Sequence, residues 1–149
     1  MPESLEARAL ALLARREHSR AELQRKLASH AESAAELEHL LDELERRRQL
    51  SDVRYAENRV SIRGRRYGNN RLLQEMRQSG VAPDAIAAAL ADAGDETGRC
   101  RQVWQKKFGL LPETPGERAR QQRFLQYRGF SQEAIRQVLQ GLNEDGEHE

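Results

Sequence analysis

The segment LLQEM at Leu72–Met76 has a counterpart 49 residues earlier, LQRKL at Leu23–Leu27, and another 49 residues later, QQRFL at Gln121–Leu125. Two further sets of apolar residues share this shift: Leu37 with Ile86 and Ile135, and Leu41 with Leu90 and Leu139. One shift shared by three copies indicates an internal repeat of about 49 residues. A chain of 149 residues has room for three such repeats.

Each repeat carries the signals of three helices. Ser19-Arg20-Ala21-Glu22 and Ser33-Ala34-Ala35-Glu36 are capping boxes in the first repeat. In the second repeat a helix is predicted from Ser51 towards Tyr67, and Pro83 suits the first turn of another. Thr114-Pro115-Gly116-Glu117 begins a helix in the third repeat. No segment alternates as a strand would, so the sequence predicts an all-α protein.

The repeats set the predicted organisation of the chain. We expect three tandem three-helix repeats, at residues 1–50, 51–97 and 98–142, followed by an acidic, disordered tail at 143–149. A repeat of this size is too small to bury its apolar face alone, and stacking of neighbouring repeats solves that problem. The predicted result is an elongated, curved, solenoid-like chain.

Composition excludes several classes of protein. The net charge is +1, 33% of the residues are charged, and only 5% are aromatic. No run approaches the roughly 18 apolar residues of a membrane span, and the first residues do not resemble a secretory signal. Cys100 is the only cysteine, so the chain forms no internal disulfide and a cytoplasmic setting is expected. Trp104, Phe108 and Phe124 are predicted to supply the core of the third repeat.

Catalytic and metal-binding patterns are absent from the sequence. The four histidines, His18, His30, His39 and His148, do not pair at metal-ligand spacing. The chain has no glycine-rich phosphate loop and no nucleophile elbow. We therefore predict a protein that is not an enzyme, with no catalytic residue, no metal and no cofactor.

Positive charge is concentrated in two blocks. Residues 51–82 have a net charge of +4 and residues 99–140 have a net charge of +6, with an acidic block of −4 between them. Clustered cations are typical of surfaces that bind phosphates or acidic proteins. Tyr67 and Tyr127 lie among these charges and are candidates for stacking on bases. The alternative is that the arginines are solvated and the tyrosines pack.

Three segments resemble, in order, the signatures of the RecX family. The first is Leu50-Ser51-Asp52 with Tyr55-Ala56. The second is Gly68–Leu73 with Glu75 and Gly80-Val81. The third is Arg123–Ser131 with Ile135, Val138 and Leu139. The first repeat fits as well, and the resemblance runs from about Leu5 to Leu142. The sequence departs from the signatures at Ser51, usually aspartate, and at Tyr127, often basic.

The resemblance implies a bacterial regulator of the RecA recombinase. Such proteins bind the RecA filament on DNA in its helical groove. There they restrain filament growth, ATP hydrolysis, strand exchange and the co-protease activity that triggers the SOS response in DNA repair and homologous recombination. The implied partners are the RecA filament and single- and double-stranded DNA, and a monomer is expected. Eleven basic residues are predicted to form the RecA- and DNA-binding surface: Arg59, Arg63, Arg65, Arg66, Arg71, Arg77, Lys106, Lys107, Arg120, Arg123 and Arg128.

Two other functions stay open at this point. A stand-alone helical DNA-binding protein would bind duplex DNA selectively without RecA, since three-helix units are similar to helix-turn-helix modules. A helical-repeat scaffold would bind other proteins and show no salt-sensitive binding to DNA or filaments.

Overall fold

The computed structural model describes residues 3–141, and within that range it contains nine α-helices, one short 3₁₀ turn and no strand. The helices are α1 (Leu5–Arg15), α2 (Arg20–Leu27), α3 (Ala34–Arg46), α4 (Asp52–Arg63), α5 (Asn69–Gln78), α6 (Pro83–Asp92), α7 (Glu96–Lys107), α8 (Pro115–Tyr127) and α9 (Gln132–Leu139); the 3₁₀ turn is Ala28–His30. The all-α prediction is confirmed. The predicted tail at 143–149 lies outside the described residues.

Side-chain caps begin the helices where the sequence predicts them. The hydroxyl of Ser19 accepts the backbone N–H of Glu22 at 3.1 Å, and that of Ser33 accepts the N–H of Glu36 at 3.0 Å. Thr114 caps α8 in the same way. Each such bond is worth about 1 kcal/mol, because a helix start leaves its first N–H groups without partners.

Helix α4 ends at Arg63, four residues before the predicted end near Tyr67. The N–H groups of Arg66 and Tyr67 both turn back to the carbonyl of Arg63. The guanidinium of Arg99 donates to the carbonyls of Gly64 and Tyr67, at 3.0 Å each. Arg99 thus satisfies two carbonyls of the turn that follows α4, which stabilises the early stop.

The chain divides into two compact units. The first compact unit takes in the chain up to Asn58 together with Met76–Ala89, and the second takes in Arg59–Glu75 together with the chain from Leu90 onward. The first has a leucine-rich core: Ala9, Leu23, Leu27, Leu37, Leu41, Leu44 and Leu50. The predicted repeat boundaries stay a prediction.

The core of the second compact unit contains the predicted aromatic residues. Its buried members are Cys100, Trp104, Leu125, Phe130, Ala134, Ile135, Val138 and Leu139. Phe108 and Phe124 pack against them, with their rings edge to face at 5.5 Å. The indole N–H of Trp104 donates to Gln121 at 2.8 Å, so its one polar atom is satisfied. The prediction of a core role for Trp104, Phe108 and Phe124 is confirmed.

Candidate binding surface

Two loop segments of the second compact unit are held together by their backbones. The N–H of Gly68 donates to the carbonyl of Arg128 at 2.8 Å, and the N–H of Asn70 donates to that of Gly129 at 3.0 Å. Gly129 has φ +87, and a Cβ there would lie 2.3 Å from the Cβ of Arg71. Only glycine fits such a contact at positive φ. The start of α5 is thereby fixed against the end of α8.

A single carboxylate reinforces this contact. Glu96 accepts the backbone N–H of Asn69 at 2.8 Å, the N–H of Ser131 at 3.1 Å and the hydroxyl of Ser131 at 2.7 Å. Glu96 therefore caps the N-termini of both α5 and α9, where a negative charge is favoured. The sequence places Glu96 only in the acidic block. Its two partners, Asn69 and Ser131, are distant from it along the chain, so this role could not be predicted.

Three predicted binding residues share one acid. Arg63 forms a two-pronged ion pair with Glu75, at 2.6 and 2.8 Å, and this bond raises the pKa of Arg63. Arg71 and Arg59 lie 3.8 and 4.0 Å from the same carboxylate. Glu75 therefore offsets part of the charge of all three arginines, a neutralisation that the charge count along the sequence did not reveal.

Tyr67 is surrounded by cations. The guanidinium carbons of Arg71, Arg63 and Arg128 lie 4.2, 4.5 and 5.4 Å from the centre of its ring. These are cation–π distances. Tyr127 differs, since 78% of its surface is exposed, and Arg71 lies 5.9 Å from the centre of its ring. Of the two candidate stacking residues, Tyr127 is the one with a ring open to solvent.

Five cations line a groove of about 420 Å³ in the second compact unit. The lining of this basic groove is Arg65, Arg66, Val103, Lys106, Lys107, Phe124 and Arg128. These lining residues come from the turn after α4, the last turns of α7 and the end of α8. Among the residues that the structure describes, no carboxylate lines this groove. Lys107 and Arg128 lie 5.4 and 5.2 Å from the centre of the Phe124 ring.

The other predicted binding residues lie elsewhere. Arg120 is 5.9 Å from the ring of Phe108 and lines a different cavity, beside Leu110 and Leu111. Arg123 is exposed on α8. Arg77, also exposed, belongs to the first compact unit. The binding role of all eleven residues stays a prediction.

The described residues also bear on catalysis and metal binding. Cys100 is fully buried, and burial raises the pKa of its thiol to about 12, so it is not a reactive thiolate. Over residues 3–141, no three His, Cys, Asp or Glu side chains are grouped to hold a metal ion. No helix in that range is long and apolar enough to cross a membrane.

The fold defines a class: all-α proteins built from tandem three-helix units. Comparison with known proteins then identifies the family. The model of the second three-helix domain of RecX matches residues 51–90, and that of the third matches residues 95–139. The chain belongs to the RecX family of regulatory proteins.

Individual relatives agree with this assignment over nearly the full length. The chain is 47% identical to the regulatory protein RecX of Ralstonia nicotianae, with 98% of this chain and 94% of the relative covered. It is 48% identical to the regulatory protein RecX of Chromobacterium violaceum, with 99% and 96% covered. The crystal structure of RecX from Lactobacillus salivarius has the same fold, with a TM-score of 0.81 over 93% of this chain and 94% of that one, at 18% identity.

Proposed function

We propose that this chain is a negative modulator of the RecA recombinase. It binds the RecA–DNA filament in its helical groove and restrains filament growth, ATP hydrolysis, strand exchange and SOS co-protease activity. It acts in the cytoplasm as a monomer, without catalysis and without a cofactor. The observation that carries the proposal is its 40–48% identity, over nearly its whole length, to proteins named as RecX regulators.

The charge arrangement supports a polyanionic partner. The basic groove brings five cations together in the second compact unit. A filament offers repeated copies of both protein and DNA surface, so weak contacts made at several points add up. Contacts to phosphates release bound counterions, which makes the association sensitive to salt.

The test is RecA ATP hydrolysis on single-stranded DNA while this protein is titrated in. We expect the rate to fall when the protein is far below the concentration of DNA sites. Additional free DNA separates filament binding from simple competition for DNA. An unchanged rate, or a fall only once the DNA is saturated, would contradict the proposal.

The second candidate function is stand-alone DNA binding, which the five cations lining the basic groove favour. It predicts that DNA binding accounts for every effect on RecA. RecA filaments that are already assembled would then hydrolyse ATP at the normal rate once excess free DNA has bound this protein.

A further inference from the structure

We propose that the predicted binding surface has two parts with different tasks. The basic groove holds the phosphates of a single nucleic-acid strand, and Tyr127 stacks on an unpaired base of that strand. The arginines around Glu75 take no part in this contact. The inference rests on the proposed function, because it assigns the nucleic-acid contact of that function to particular residues.

The groove is suited to phosphates by its uncompensated charge. Its five cations line one groove together with Val103 and Phe124, and carboxylates are absent from its described lining. Like charges gathered in one groove repel one another, which costs stability in the absence of an anion. A bound phosphate removes that repulsion, and two neighbouring phosphates do so more completely. The Phe124 ring offsets part of the cost, because Lys107 and Arg128 lie within cation–π distance of it.

The cluster around Glu75 is different in charge. Arg63 donates two N–H groups to the Glu75 carboxylate, and Arg59 and Arg71 lie within 4.0 Å of it. A phosphate would have to displace Glu75 to gain the same hydrogen bonds. Arg63 and Arg71 instead lie over the Tyr67 ring at cation–π distance.

Contacts between cations and phosphates do not select for unpaired bases. In this proposal Tyr127 provides that selectivity. Its ring is largely exposed, and its carbonyl accepts a bond from Arg71 at 3.5 Å, which helps to fix the backbone that carries it. The next residue, Arg128, lines the groove. In the proposed contact the base stacks on Tyr127 and its phosphate lies at the cations of the groove. In a duplex both faces of each base are covered, so this contact requires a single strand.

The first experiment measures binding of a labelled oligothymidylate by fluorescence anisotropy, with the full-length chain and no RecA. The test variant is Lys106→Gln/Lys107→Gln, and the matched control is Arg25→Gln/Arg118→Gln, which removes two exposed cations outside the groove. We expect roughly tenfold weaker binding for the test variant. Its plot of log K against log salt should be shallower by about 1.4, the value for two lost phosphate contacts on a single strand. Equal losses of affinity in the two variants would show that the basic groove is not the binding site.

The second experiment isolates the stacking contact. Tyr127→Ala should weaken binding to oligothymidylate about tenfold and leave binding to an abasic oligomer unchanged, because one base–aromatic stack is lost. Tyr127→Phe should bind both as the unaltered chain does. If Tyr127→Ala has no effect, or weakens both ligands equally, Tyr127 is not a stacking residue. Circular dichroism melting of every variant shows whether a loss comes from unfolding.

The RecA ATP hydrolysis assay separates this inference from the proposed function. If the unaltered chain fails to restrain RecA, the proposed function is wrong. The anisotropy results still show whether the groove binds single-stranded DNA. If Lys106→Gln/Lys107→Gln binds DNA normally but no longer restrains RecA, the groove contacts an acidic protein surface. That result would overturn the inference and leave the proposed function standing.

Discussion

The backbone N–H of Gly68 donates to the carbonyl oxygen of Arg128 at 2.8 Å, although the two residues belong to different predicted repeats. The contact joins two of the segments that resemble RecX signatures, one at the start of α5 and the other across the end of α8. Arg71 and Arg128 consequently lie at the same ring, that of Tyr67. Residues of two separate motifs along the chain thus form one structural element.

Substitution of Gly129 should be strongly destabilising. Gly129→Ala places a Cβ at positive φ and within 2.3 Å of the Arg71 side chain. We expect a loss of about 3 kcal/mol or more in the free energy of unfolding, measured by urea denaturation. Gly94 also has positive φ but open space around it, so Gly94→Ala should cost only about 1 kcal/mol. Equal losses would show that the close approach to Arg71 is unimportant.

Loss of the Glu96 charge should weaken the second compact unit. Glu96→Gln replaces a carboxylate that accepts three hydrogen bonds and caps two helices. The expected cost is about 1–3 kcal/mol in the free energy of unfolding, since charged acceptors bond more strongly. Glu117, which accepts one backbone N–H at the exposed start of α8, provides the comparison. Glu117→Gln should cost well under half as much. If Glu117→Gln costs as much as Glu96→Gln or more, Glu96 is not an important cap of the two helices.

Stability should fall as the pH drops through the titration of His18. This side chain is buried, its Nδ1 bonds the carbonyl of Arg16, and Nε2 faces the ammonium of Lys26 at 3.2 Å. Burial lowers the pKa of His18 below the value of 6.5 that applies to the unfolded chain. The unfolded state therefore takes up a proton first, and the stability present above pH 6.5 is lost below it.

The measurement is urea denaturation at about pH 7.5 and about pH 5.5, on either side of that value. His18→Gln should be less stable at the higher pH and should show a smaller drop between the two. His39, which is exposed on α3, is the control, and His39→Gln should keep the full pH dependence. A drop of the same size in both variants would rule out His18 as its source.

Removal of the Glu75 charge should strengthen binding to a polyanion. Glu75→Gln removes the carboxylate that Arg63 and Arg71 share and makes these two arginines available to phosphates. We expect affinity for oligothymidylate to rise several-fold, with a steeper dependence on salt, in the anisotropy assay. Glu57→Gln removes the same charge from an exposed position on α4 and should have a smaller effect. Weaker binding by Glu75→Gln would show that these arginines need the carboxylate for their placement.

Much of the fold was predictable because its signals are local. A cap such as Ser19 with Glu22 acts within one helical turn, so the sequence alone is enough to place the helix start. The repeat and the core role of Trp104 were predictable for a similar reason, since both depend on periodic apolar positions. The end of α4 was misplaced by four residues, because a side chain distant in sequence, Arg99, bonds carbonyls of the turn that replaces its last predicted residues.

The binding surface was predictable only as a list of charges. By itself the sequence determined the helices, the repeat, the two basic blocks and the resemblance to RecX. Only the tertiary structure decided that Glu75 compensates one set of arginines, while Lys106, Lys107 and Arg128 share a groove whose lining, over residues 3–141, includes no acid. The reason is that charges interact over a few ångströms in space. Which charges come that close depends on the packing of helices far apart in the chain.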